Sequence, residues 1–429
     1  MDRQNDSCPK DGIVKRSSLF AWCSYDWANS SFPTVIMTFV FAAYFTKGVS
    51  IDVETGTAQW GYAMSLSALG VAILSPLLGA IADHGGRRKP WIGFFTLICV
   101  GCSAALWYVK PDTSFVMLAL ILVCIANLAF ETGMVFYNAM LPELAPPGKI
   151  GRLSGWGWGF GYFGGLSCLA LVLVGFVQAD VPWFGISTDN AENLRIVGPV
   201  VAIWFGLFCL PLFFMVPDRP KNSLPMSEAI TRGWFSLVGT IARARDYGMM
   251  LRFLIARMFY VDGLNTLFAF GGIYAVGTFG LSFEELILFG IAMNVTAGLG
   301  ALAFAWADDR FGPKAVIMIS VTGLSLLGMA LVLVQSKTMF WVFGLPLGIF
   351  VGPAQSASRS LMARLAPESL RTEMFGLFAL SGKATAFLGP ALLGWVTVAT
   401  GSQRWGMATI LGFFVVGLFL MRSVSDKNS

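Results

Sequence analysis

Gly79-Ala80-Ile81-Ala82-Asp83-His84-Gly85-Gly86-Arg87-Arg88-Lys89 closes one apolar run, over 59–82, and opens another, over 91–109. Each run is about the 20 residues that a helix needs to cross a hydrocarbon core of roughly 30 Å. Between them lie two adjacent glycines, which permit a tight turn, and three consecutive basic residues. A pair of spanning helices joined by a short basic turn is the reading that accounts for all three features.

The same pattern recurs along the whole chain of 429 residues. Working outward from the turn, spanning runs are predicted at 20–46, 59–82, 91–109, 114–139, 154–178 and 194–216, and again at 251–277, 282–307, 313–334, 339–362, 372–399 and 405–422. The composition agrees. The chain is 56% hydrophobic and 12% charged, against roughly 25% charged residues in soluble domains. This predicts an all-α polytopic membrane protein of twelve helices in two six-helix bundles. The bundles cover 20–216 and 251–422, with a polar tail at 1–19, a central loop at 217–250 and a short tail at 423–429. The central loop carries a candidate surface helix near Met226–Ala244.

The basic residues set the expected orientation. With the N-terminus inside, 23 of the 29 Lys and Arg fall in cytoplasmic segments and the flanking ends of the spans, 5 fall on the opposite face, and Lys383 lies deep within a span. Such a bias places both termini in the cytoplasm. The stretch from Met1 to Ser18 is polar and basic with no small-residue cleavage site after the first apolar run, which argues against a removable signal peptide.

Three ordered matches indicate an internal duplication. Asp26-x-x-Asn29-Ser30 pairs with Asp262-x-x-Asn265-Thr266 at an offset of 236. Asp83 to Arg88 pairs with Asp309-Arg310-Phe311-Gly312-Pro313-Lys314 at an offset of 226. Ala145-Pro146 through Gly155 pairs with Ala366-Pro367 through Gly376 at an offset of 221. The offsets shrink smoothly, as they do when the loops of the second half are shorter.

The opening stretch resembles the signature loop of the major facilitator superfamily, between its second and third helices, and the stretch at Asp309 resembles a degenerate second copy with Ala305 in place of the leading glycine. Within that superfamily the chain resembles the vacuole-effluxer branch, sometimes called the unknown major facilitator group. The likeness is carried by Tyr25 to Ser30, Phe136 to Leu144, Gly151 to Gly155, Gln355 to Ser360 and Gly382 to Ala386. The resemblance implies the major facilitator fold and a secondary transporter. It also implies that Gly79, Asp83, Gly86, Arg87, Arg88, Asp309, Gly312 and Lys314 form gates that hold the cytoplasmic side shut. Asp83 suits that role physically: a carboxylate at a helix end accepts from the N–H groups of a facing helix N-terminus and pairs with Arg87 or Arg88. The plainer alternative is a basic loop that only fixes topology. His84, the one histidine, stands where the superfamily usually has arginine.

Ionisable side chains inside spans cost about 2.5–3.5 kcal/mol each near the bilayer centre, so they mark pathways or ion pairs. Asp26, Glu131, Arg257, Asp262, Arg359 and Lys383 are such residues. Asp26, Asn29, Asn127, Glu131, Asp262, Asn265, Gln355 and Lys383 are the expected substrate and proton path. In this reading the repeated Asp-x-x-Asn faces the cavity from both bundles. Glu131 would carry a coupling proton, and Lys383 would bind a substrate carboxylate or release Glu131. The alternative is structural ion pairing, by Arg257 near Asp262, by Arg359 near the cytoplasmic end of its span, and by Asp26, a turn or two from the cytoplasmic surface.

Other chemistry is excluded or carries little weight. Gly159, Gly161 and Gly164 spell G-x-G-x-x-G, but within an apolar helix and after no strand, so this is no dinucleotide site. Gly157, Gly161 and Gly165 recur every four residues as a smooth packing face. The run resembles in part the antiporter signature of the fifth helix, without its proline. No phosphate-binding G-x-x-x-x-G-K-[ST] loop is present, so ATP hydrolysis is not expected. Cys99-x-x-Cys102 lies on an apolar helix with no second ligand pair, and the other cysteines (8, 23, 124, 168, 209) mostly fall in apolar runs, so neither a metal site nor a disulfide framework is expected. No cofactor and no nucleic-acid partner are expected.

The function expected is alternating-access movement of a small polar solute, with amino acid efflux the specific form and a proton the coupling ion. The expected setting is a monomer in the lipid bilayer of a bacterial inner (plasma) membrane. A receptor or scaffold that kept the fold and lost the cycle is the competing class, and a membrane-embedded enzyme is the third.

Overall fold

A computed structural model describes residues 15–220 and 224–425. Cys8 and the ends of both tails lie outside the described residues. Among those described there is no strand, and eleven helices are long and apolar enough to cross a membrane. The first half contributes α1 (Arg16–Val49), α2 (Val53–Gly85), α3 (Lys89–Tyr108), α4 (Thr113–Leu144), α5 (Ile150–Val177) and α6 (Asp189–Met215). The central segment forms α7 (Met226–Ala242). The second half contributes α8 (Arg245–Phe279), α9 (Phe283–Phe311), α10 (Pro313–Leu333) and α11 (Lys337–Leu365). Two short helices in series follow, α12 (Arg371–Ser381) and α13 (Leu388–Thr400), and then α14 (Gln403–Arg422). Among the described residues this makes twelve crossings, the eleventh of them in two pieces.

That broken crossing departs from the expected continuous span over 372–399. Residues 382–387 form a turn between α12 and α13. Gly382 and Gly389 weaken helical continuity, and Pro390 cannot donate the backbone bond that would tie the second piece to the first. Proline is tolerated where it stands, in the opening turn of α13, because N–H groups there have no intrahelical partner.

Helix starts are fixed by local caps. Asp52 accepts from the Thr55 N–H at 2.7 Å, and that bond holds its carboxyl below the ordinary carboxylate range. Ser282 and Glu285 form a reciprocal capping box at the start of α9. Gly86 and Gly312, equivalent positions in the two copies of the loop, both have φ of 85° and turn the chain into α3 and α10. Only glycine adopts that conformation without strain. Leu66, Ile73, Leu97, Ile203, Leu207 and Leu326 are exposed on the outer surface, the arrangement that lipid requires of a spanning bundle.

The two halves meet along matched contacts. α2 packs on α12, and α5 packs on α9. α4 and α5 also touch α11, and α4 touches α12. α7 lies against α2, where a Cβ on Gly233 would stand 2.8 Å from the Ile81 backbone.

Candidate functional site

The site is built from three layers between the bundles. The outermost lies at the end of the molecule where α1 begins and α14 ends. Asp83, in the last turn of α2, accepts from the Thr372 N–H at 3.1 Å, the Thr372 hydroxyl at 2.7 Å and the Glu373 N–H at 2.9 Å. These groups open α12, where unpaired N–H donors and the helix dipole favour an anion. Arg88 is buried behind it, with Nη2 3.9 Å from Asp83, Nε donating to Thr372 at 3.0 Å and Nη1 donating to Glu143 at 2.8 Å. Arg219 and Arg371 complete the cluster on Glu143. Gly79 is required there, because a Cβ would press into the Thr372 carbonyl, well inside van der Waals contact. Ser236 of α7 donates to Glu373 at 2.8 Å, so the central helix covers this contact.

A second copy stands across the pseudo-twofold. Asp309 accepts from the Gly151 N–H at 2.8 Å and from the Arg152 N–H at 3.3 Å and Nε at 2.7 Å, at the start of α5. Arg364 lies 2.9 Å from Asp308 and 3.7 Å from Asp309. Two of the expected gating residues do not belong to either cluster. Lys314 donates to the carbonyls of Arg422 and Val424, and so ties down the C-terminal segment within its own bundle. Arg87 is exposed, since the turn at Gly86 directs Arg88, not Arg87, into the interface. His84 rests on the Ala80 carbonyl one turn back, at 2.9 Å.

The middle layer is a buried polar seam. Arg359 of α11 reaches Asp26 at 3.2 Å, Asn138 at 3.2 Å, and Ser154 at its hydroxyl (3.0 Å) and carbonyl (2.7 Å). Tyr137 donates to Asp26 at 2.9 Å. Of the two sequence readings of Asp26, cavity lining or structural pairing, the structure has the second: it is half of a buried cross-bundle ion pair. A carboxylate only 5% exposed needs such a partner. Asn29 is likewise buried, against Met134, and Asn127 donates to Ser67 within its own bundle at 2.8 Å. Asp262 is 2% exposed and packs at Gly389, outside the cavity wall, and Arg257 does not pair with it. The repeated Asp-x-x-Asn thus serves unlike ends: of its four members, only Asn265 reaches the cavity.

The innermost layer is a cavity of about 260 Å³ between the bundles. Its polar wall is Glu131, Asn138, Trp158, Arg257, Tyr260, Asn265, Gln355, Ser358, Arg359 and Lys383, with Phe130, Phe375 and Phe378 between them. Lys383 sits in the turn that breaks the eleventh crossing, and its ammonium is 2.8 Å from Glu131 of the other bundle. Tyr260 and Ser358 share a hydrogen bond of 2.6 Å. Sequence reasoning found Glu131, Asn265, Gln355 and Lys383. It missed Trp158, which lies in the glycine-rich packing run, and Tyr260. Asn138 and Arg359 are equivalent under the third repeat match, but repeat equivalence alone does not signal contact, and their hydrogen bond came from the fold.

Comparison with known proteins agrees with this geometry. The profile of the family described as "Vacuole effluxer Atg22 like" matches residues 49–429. The uncharacterised MFS-type transporter YxiO of Bacillus subtilis (strain 168) is 26% identical over 413 residues, which cover 95% of each chain. Autophagy-related protein 22 of Coccidioides immitis (strain RS) is 24% identical over 82% of this chain and 70% of its own. The solved proton:xylose symporter XylE of the major facilitator superfamily has a TM-score of 0.75 at 15% identity, over 95% of each chain. The chain is a membrane transporter of the major facilitator fold, and it belongs to the vacuole effluxer Atg22-like family.

Proposed function

We propose that the protein exports a small polar solute by alternating access and that a proton gradient drives the cycle. The observation that carries this reading is the Glu131–Lys383 ion pair, which joins the bundles inside the cavity. A proton taken up by Glu131 removes its attraction for Lys383, and that changes the balance between the two arrangements of the bundles. An ion can drive a conformational cycle only through such a difference in affinity between states. Amino acids are the solute class put forward, since the cavity offers both an acid and bases to a zwitterion.

The orientation follows the basic-residue bias, with both termini cytoplasmic. The Asp83 and Asp309 contacts then close the cytoplasmic side. A bacterial plasma membrane is the setting proposed, with the chain acting as a monomer.

Proteoliposomes loaded with an amino acid mixture provide the test. Release that requires an imposed pH gradient and is absent from protein-free vesicles is the expected result. No protein-dependent flux of any component, with or without a gradient, would leave a receptor or scaffold as the better reading.

A further inference from the structure

We infer that Arg257 is the docking point for a carboxylate on the solute, and that a monocarboxylate needs no amino group to bind there. The inference rests on the transport reading of the cavity and names the chemistry its ligand must bring.

Among the described residues three cations stand on the cavity wall, and two of them are matched. Arg359 has Asp26 at 3.2 Å, and Lys383 has Glu131 at 2.8 Å. Arg257 has no carboxylate within 4 Å among the described residues. Its Nη1 donates to two neutral acceptors, the Phe378 carbonyl and the Ser381 hydroxyl, each at 2.7 Å. Its Nε is buried with no acceptor among the described residues, and its guanidinium carbon stacks 3.6 Å from the centroid of the Phe378 ring. An arginine cannot discharge itself by losing a proton. An unmatched guanidinium inside a span therefore awaits an anion, or stands as a costly structural pin.

The surroundings favour the anion. The wall charges and their partners leave one positive charge over, so a monoanion makes the cavity neutral. The carboxylate of an amino acid meets the same guanidinium, and its ammonium then competes with Lys383 for Glu131. With both Nη1 protons engaged, Nε and Nη2 form the remaining edge of the guanidinium, which matches a carboxylate in two parallel bonds. Gly382 adds no bulk at the neighbouring Nη1–Nη2 end, where a Cβ would stand 3.1 Å from Nη1 and 3.3 Å from Nη2. Lys383 is the next residue, so an anion on Arg257 also has access to the ammonium that Glu131 now holds.

The test can be run before the substrate is identified. The purified full chain in detergent is titrated with sodium acetate, butanoate, hexanoate and benzoate, and with the four corresponding amides, at constant ionic strength set by sodium chloride. Binding is read as a concentration-dependent rise in Tm. At least one acid should raise Tm and no amide should. Arg257→Gln should weaken that acid by roughly tenfold or more, the scale of one lost charge-assisted pair. Glu131→Gln, which frees Lys383, should strengthen it. The Glu131→Gln result and the acid–amide contrast in the unaltered protein stand even if the Arg257 variant does not fold. Amides as effective as acids, no effect of any acid, or selectivity that survives Arg257→Gln overturns the inference. Acid binding without flux in proteoliposomes would instead sink the transport reading, and flux without acid selectivity would sink this one alone.

Discussion

Asp83 and Asp309, equivalent residues of the two repeats, do the same thing in opposite directions: each accepts the backbone N–H groups that begin a helix of the other bundle. The helices they hold open at Thr372 and Gly151, which are themselves equivalent under the third repeat match. The duplication has therefore produced a closure with two matched fastenings, although only the first carries the full glycine and arginine pattern.

Removing both charges should loosen that closure. An anion at a helix N-terminus contributes about 0.3–1 kcal/mol, and up to ~2 kcal/mol when partly buried. Asp83→Asn with Asp309→Asn should therefore shift the bundle equilibrium by roughly three- to thirtyfold. A cysteine placed at Gln355 should label faster from the side where α1 begins and α14 ends in the double variant. An unchanged labelling rate would show that the two contacts do not hold the bundles together.

Gly79→Ala tests the same interface sterically. Its Cβ would run into the Thr372 carbonyl, which forces α2 and α12 apart. Overpacking of this kind costs about 1–3 kcal/mol. Gly61→Ala, where nothing lies within 4 Å, is the control. The expected result is a lower Tm for the first substitution and an unchanged or higher Tm for the second, since alanine favours a helix interior over glycine.

The Asp26–Arg359 pair predicts a non-additive cycle. Asp26→Asn leaves a buried guanidinium without its counter-charge, and breaking a buried pair typically costs about 3–5 kcal/mol. Adding Arg359→Gln should recover part of that loss. Thermal unfolding of the two single variants and the double checks it, and simple additivity would contradict the coupling seen in the structure.

Glu131→Gln should abolish dependence on the pH gradient while exchange of solute across the membrane continues. Measured flux with and without an imposed gradient decides this. Coupling that persists in the variant would remove Glu131 as the proton carrier.

What could be read from the sequence followed from solvent. Hydropathy reports which segments prefer lipid, so the twelve crossings and the charged turn at Asp83 were visible. Glu131 and Lys383 stood out because a charge inside a span is costly wherever its partner lies. Hydropathy does not report which way a side chain faces. The partner of Asp26 lies 333 residues away, and nothing local distinguishes it from Asp262, which forms no ion pair among the described residues. Nothing in the sequence said that Arg219 and Arg371 would meet on Glu143, or Arg152 on Asp309, until the fold placed them there. The break at 382–387 was hidden because a divided crossing is as apolar as a continuous one.

That break also gives α12 an unusual mechanical position. It is a rod of 11 residues, gripped near one end through Thr372 and Glu373 and followed at the other by Lys383, which holds Glu131. Both grips belong to the opposite half of the molecule, and they are only about 17 Å apart along the axis at 1.5 Å per residue. The turn after Ser381 spares α13 from having to follow. A displacement of Lys383 at the cavity would therefore bear on the Asp83 contact through a single short lever, with no need to bend a full-length helix.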